Sequence, residues 1–146
     1  MLAQNSIATA ERPGDFPRSA KKSAPERILV VDDERLLRWS VAETLTARGY
    51  EVAEAADARS AMQALGDGEN VDLVLLDLRL PDADDLQVLA SIREKAPRIP
   101  VILMTAFATR EIVEEAVALG ASVLHKPFDL DDLAIDVEQA LMGRVY

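Results

Sequence analysis

The chain has 146 residues, the size of one domain with a substantial core, and its 49% apolar and 29% charged composition is that of an ordinary globular protein. It contains no cysteine, which excludes disulfides, thiol catalysis and thiolate metal sites, and no uninterrupted apolar stretch approaches the roughly 20 residues that span a bilayer. Residues 1–27 carry Arg12, Arg18, Lys21, Lys22 and Arg27 against Glu11, Asp15 and Glu26, a net of +2, so the remainder holds −12 of a total of −10. So acidic a body repels nucleic acid, and direct DNA binding is not expected.

Residues 1–26 contain Pro13, Gly14, Pro17 and Pro25 without apolar periodicity, and Gln4, Asn5, Ser6 and Thr9 break up any signal-peptide core. They are expected to be a flexible leader, with one folded domain over 27–146. From Arg27 onward, apolar runs alternate with amphipathic segments, the pattern of a parallel sheet with crossover helices. Arg27 to Val31 is a first strand, followed by a helix with Leu37, Val41 and Leu45 on one stripe and Gly49 as its stop. Glu51 to Glu54 is a short second strand. A second helix covers 58–65 and ends in the Gly66-Asp67-Gly68 turn. Val71 to Leu76 shows no alternation, as expected of a strand buried on both faces.

Asp84-Asp85 is expected to open a third helix with Leu86, Leu89, Ala90 and Ile92 supplying its core face. Pro97 and Pro100 bracket the link to a fourth strand, Val101 to Met104. Thr109 caps a fourth helix containing Ile112, Val113, Ala116 and Val117, and Gly120 closes it. Residues 121–124 make the fifth strand. Asp129 caps a fifth helix with Leu130, Leu133, Val137 and Leu141 as its stripe. Five strands and five helices leave no room for a second domain within the chain.

Four of these apolar runs end on residues suited to a phosphoryl group: Asp32-Asp33, Asp77, Thr105, and His125-Lys126-Pro127. Ligands of an open parallel sheet bind outside the carboxyl ends of its strands, so five side chains converge on one crevice. Carboxylates gathered without a cation would resist ionising, and the set implies a bound metal. Asp77, alone at the end of the central strand, is the natural nucleophile for an aspartyl phosphate. Asp32 and Asp33 suit Mg²⁺, Thr105 offers an adjustable donor, and Lys126 a compact charge. His125 reads as an exposed loop residue rather than a ligand or relay base, and Trp39 with Leu36 lies away from the buried stripe of the first helix.

The segments Val-Asp32-Asp33-Glu, Asp77-Leu-Arg-Leu-Pro81-Asp, Thr105-Ala106 and Lys126-Pro127-Phe128 together resemble the receiver domain of two-component response regulators. The resemblance covers about residues 26–143. The wording around the site is most similar to receivers of the nitrogen-regulation class of transcriptional activators, although no ATPase or DNA-binding segment follows here. It implies an α/β, flavodoxin-like (βα)₅ fold with strand order 2-1-3-4-5. It also implies a cytoplasmic phosphoacceptor, not an enzyme in its own right, that takes phosphate from a sensor histidine kinase or phosphotransfer protein.

By position, the resemblance makes Asp77 the phosphoacceptor. Asp33, Asp77 and the backbone carbonyl of Arg79 become direct Mg²⁺ ligands, and Asp32 acts through a water. Thr105, the Ala106 amide and Lys126 would bind the phosphoryl oxygens, with a cis Lys126–Pro127 peptide. Arg79 and Phe107 stand at positions that in the family border the path of attacking water. Two positions depart from the family: Asp85 replaces a usual glycine, and Val123 occupies the switch position where Tyr, Phe or His is usual. Valine has a stiff rotor and no polar tip, so output is expected through helix four and a dimer on the helix four–strand five–helix five face. The alternative is a receiver-fold binding module whose output ignores phosphorylation. Enzymes on similar folds fit poorly, since Asp77 lacks a partner acid two residues on and the first turn is not glycine-rich.

Overall fold

A computed structural model describes residues 24–66, 70–84 and 86–143. The expected leader at 1–23, the Asp67-Gly68 part of the predicted turn, and Asp85 lie outside the described residues.

Five parallel strands form one sheet in the order β2-β1-β3-β4-β5: β1 Arg27–Val31, β2 Glu51–Ala55, β3 Leu73–Asp77, β4 Val101–Thr105 and β5 Ala121–His125. The helices between and after them are α1 Arg35–Ala47, α2 Ala58–Gly66, α3 Gln87–Lys95, α4 Arg110–Ala118 and α5 Leu130–Met142. The flavodoxin-like (βα)₅ fold is the one expected. Side chains alternate across each strand, and the core divides accordingly. Ile28, Val30, Leu73, Leu75, Ile102 and Met104 pack under Val41 and Leu45 of α1 and Leu133, Val137 and Leu141 of α5. Leu29, Val31, Val74, Leu76, Val101 and Leu103 face α2, α3 and α4. Both faces are therefore covered, which is why β3 and β4 are buried along their whole lengths.

The helix ends follow local chemistry. Thr109 Oγ1 accepts the Ile112 N–H at 3.2 Å, and Asp57 Oδ1 accepts the Ser60 N–H at 2.8 Å. Gly49 and Gly120 take φ of 99° and 81° after α1 and α4, where a side chain would be strained.

Two boundaries depart from the periodicity by more than one residue. β3 starts at Leu73 rather than Val71, because Asp72 turns to the neighbouring strand: its N–H donates to the Arg27 carbonyl at 2.7 Å and its Oδ2 accepts the Arg27 N–H at 2.8 Å. The third helix begins at Gln87, with Leu86 at its N-cap position and no side-chain cap, rather than at Asp84-Asp85. Leu80 and Leu86 are both buried in the cluster below α3, so the core holds the chain in a turn until Leu86 is seated. Its core face is Leu86, Val88, Leu89 and Ile92, whereas Ala90 is exposed.

Candidate phosphoryl and metal site

The parallel register sets the carboxyl ends of β1, β3, β4 and β5 side by side. Asp77 is the last residue of β3 and pairs with Met104, and Thr105 closes β4 opposite His125. Asp32 follows β1 directly and its N–H donates to the Ala55 carbonyl at 3.0 Å, so it is wholly buried. Carboxylate oxygens of Asp32, Asp33 and Asp77 come within 4.8 Å of one another. Asp33 is the exposed member of the three.

Among the described residues, one cation reaches into this group. Lys126 Nζ lies 3.0 Å from Asp32 Oδ2 and 3.4 Å from Asp77 Oδ1. Its backbone N–H donates to the Thr105 carbonyl at 2.8 Å, and the Lys126–Pro127 peptide is cis. Thr105 is buried, and its Oγ1 accepts the Phe107 N–H at 3.0 Å, which leaves its own O–H available to donate. Ala106 is exposed beside it and, with Glu34, Leu37, Lys126, Pro127 and Phe128, lines a cleft of about 350 Å³. Arg79 is exposed on the loop after β3; its N–H donates to Asp77 Oδ1 at 3.3 Å, and its guanidinium sits 4.4 Å from the centre of the Phe107 ring. His125 is exposed, at the end of β5 rather than in a loop. Val123 lies half-buried against the core on the α2–α4 side.

The electrostatics are unbalanced. Burial, and then the charge of Asp32, push the Asp77 carboxyl up to about 6, although Lys126 and the Arg79 N–H pull the other way. Burial would lower the Lys126 pKa, but bonds to and charges on Asp32 and Asp77 outweigh it and the net shift is upward. Three clustered carboxylates against one ammonium leave room for a second cation. The donors are all oxygens, which suits a hard ion such as Mg²⁺ and not a soft one.

Two residues to which the sequence assigned no role support the chain around this crevice. Arg38 on α1 donates to the Asp32 carbonyl at 2.7 Å and to Glu54 at 3.0 Å. Asp82, on the same loop as Arg79, caps α2 from outside it, accepting the Ala58 and Arg59 N–H groups at 2.8 and 3.1 Å. Glu54 and the start of α2 lie 16 or more residues from these partners, so no local pattern announces those contacts.

A strand-end acid pair, a buried strand-end aspartate, a buried threonine and a lysine before a cis proline, on a 2-1-3-4-5 sheet, define a class. The chain belongs to the response regulator receiver domains, the phosphoacceptor modules of two-component signalling; residues 28–138 match that family. It is 40% identical over 120 residues to the regulatory protein AtoC of Escherichia coli, covering 82% of this chain and 26% of AtoC. It is 38% identical over 125 residues to the transcriptional regulatory protein PdtaR of Mycobacterium tuberculosis, covering 84% of this chain and 60% of PdtaR. The crystal structure of the receiver domain of NtrX from Brucella abortus superposes with a TM-score of 0.73 at 37% identity, over 80% of this chain and 98% of that one. These relatives bear out the resemblance to the nitrogen-regulation class. The chain spans about a quarter of AtoC and three fifths of PdtaR.

Proposed function

We propose that Asp77 is the phosphoacceptor of this receiver and that Asp32, Asp33, Asp77 and the Arg79 carbonyl form its Mg²⁺ site. The observation that carries the reading is the pairing of a buried, strand-end carboxylate with a crowd of acids and a single ammonium. Asp32 is best suited to act through water, because its Oδ1 accepts the Glu34 N–H at 2.8 Å and its Oδ2 holds Lys126. Asp33, exposed, and Asp77 are better suited to direct ligation. The ion, when bound, neutralises the acids and the incoming phosphate.

An Asp77 carboxylate oxygen attacks phosphorus. The P–N bond of a kinase phosphohistidine, or the P–O bond of a small acyl phosphate, breaks, and the bonding pair leaves with the imidazole or the carboxylate. Lys126 exchanges its contact with Asp77 for one with a phosphoryl oxygen. Thr105 donates its hydroxyl and Ala106 its amide to the other oxygens. Incubation with acetyl phosphate and Mg²⁺ is expected to add one phosphoryl group by intact mass, and none to Asp77→Ala. Equal labelling of Asp77→Ala would refute the assignment.

For output we infer a shift of α4 and a cytoplasmic homodimer through the α4–β5–α5 face, without direct nucleic-acid binding. Val123 offers no ring to rotate. α4 is held lightly: Ala116 is its one fully buried residue, and Val117 is 58% exposed. Weakly packed elements are the ones that move at low cost. Beryllofluoride, which mimics the phosphoryl group, should raise the dimer fraction in sedimentation, and Val117→Asp should prevent the rise. If neither self-association nor amide exchange over 106–124 responds, a binding module indifferent to phosphorylation is the better reading.

A further inference from the structure

Asp32 has every polar group occupied. Its N–H donates to Ala55, its Oδ1 accepts from Glu34, its Oδ2 from Lys126, and its backbone carbonyl accepts Nη1 of Arg38 at 2.7 Å. The Arg38 backbone N–H makes the ordinary first-turn bond of α1, donating to the Glu34 carbonyl at 2.9 Å, as any residue there but proline would. The side chain of this one α1 residue thus grips the chain immediately before Asp33. The guanidinium is itself held: its Nε donates to Glu54 Oε1 of β2 at 3.0 Å, and the Arg38 side chain is only 16% exposed. A planar fork with two fixed partners keeps its direction better than an ammonium would.

We propose that Arg38, braced by Glu54, is a positioning residue for the divalent-cation site, fixing the backbone just before Asp33 so that its carboxylate already faces Asp77. The inference rests on the metal reading above. Charge alone argues the opposite sign, because a guanidinium close to the acids repels an incoming cation. Glu54 offsets that charge, and what remains is geometry: a carboxylate already in place loses less freedom when it takes up the ion. Lys126 cannot do this work. It holds side chains, and it must release Asp77 when phosphate arrives, whereas Arg38 holds backbone and can stay.

The test is Mg²⁺ binding by titration calorimetry for the wild type, Arg38→Lys, Arg38→Gln and Glu54→Gln, with thermal midpoints in EDTA and in Mg²⁺. Arg38→Gln should raise the Mg²⁺ Kd by about tenfold, as loss of a partner that orients a ligand commonly does. Arg38→Lys should recover part of the affinity, and Glu54→Gln should lose less than Arg38→Gln. A purely structural role would lower the midpoint in EDTA and leave Kd alone. An unchanged or tighter Kd in folded Arg38→Gln overturns the proposal. If that variant does not fold, Glu54→Gln decides, and a wild-type Kd there is equally fatal. A wild type that ignores Mg²⁺ removes the metal reading itself, while wild-type binding with indifferent variants removes only the role of Arg38.

Discussion

Arg93 and Lys126 are both half-buried cations, at opposite edges of the same sheet, and they meet opposite surroundings. Arg93, near the amino-terminal edge, has carbonyls for partners: Leu119 at 2.6 Å, Ile99 at 2.5 Å, Gly120 at 3.2 Å and Ala96 at 3.4 Å. These belong to the ends of α3 and α4 and the entry to β4, where helix carbonyls carry partial negative charge. Burial lowers the Arg93 pKa, yet the guanidinium remains charged and its donors are well used. Lys126, at the carboxyl-terminal edge, faces full carboxylates that outnumber it. One edge is electrostatically settled and serves to hold the fold. The other is left in deficit of positive charge, which makes it costly to keep empty and ready for ions.

The largest expected effect comes from breaking the settled edge. Arg93→Ala strands several carbonyls and should destabilise the protein by about 3 kcal/mol in urea melts. The loss should be the same with and without Mg²⁺, because nothing at that edge binds the ion.

At the other edge, removing charge should help. The folded Asp77 pKa of about 6 lies above its ordinary 3.8, so the folded state binds the proton more tightly than the unfolded chain does. This group's contribution to stability is therefore full below pH 3.8 and is lost as pH rises through 6. In EDTA, stability should fall between about pH 4 and pH 7 by on the order of 2–3 kcal/mol from Asp77. Asp77→Asn should flatten that slope and be the more stable protein at pH 7. A wild type whose metal-free stability rises over this range would show that the edge carries no such deficit. Asp57, lowered by its bonds to Ser60, works in the opposite sense.

The smallest effect concerns the lifetime of the phosphoryl group. The Arg79 guanidinium stacks over the Phe107 ring, two residues beyond Asp77 and Thr105, and such a stack is worth about 0.5–1 kcal/mol at an exposed position. Phe107→Ser should speed phosphate loss by a factor of about two to five. A rate that is unchanged or slower would show that shielding is not what limits hydrolysis.

Much of the architecture was legible because burial leaves a period in the sequence. Continuous apolar runs marked β1, β3 and β4, and the stripes Leu37-Val41-Leu45 and Leu130-Leu133-Val137-Leu141 marked α1 and α5. The strand-ending acids, Thr105 and Lys126 were legible for a related reason: a polar residue at the end of a buried strand has no place in the core and must face the crevice. The strand order came from the family resemblance, since no periodicity specifies which strand lies beside which.

The start of α3 was misjudged because Asp84-Asp85 carries a genuine cap pattern, and the burial of Leu80 and Leu86 outweighed it. Arg38 and Arg93 gave no sign at all, and Asp82 stood in a motif of the resemblance without a role. Each is a charged residue on an amphipathic segment or in a loop, indistinguishable in the sequence from a solvated one. Their partners are 16 or more residues away in Glu54 for Arg38, in Ala58 and Arg59 for Asp82, and in Leu119 and Gly120 for Arg93. The sequence by itself determined most of the buried stripes and which chemistry faces the crevice, because hydrophobicity is a local property that each residue carries with it. Only the tertiary structure decided which backbone groups each charge would hold, because a hydrogen bond is directional and its partner is known only once the chain has closed.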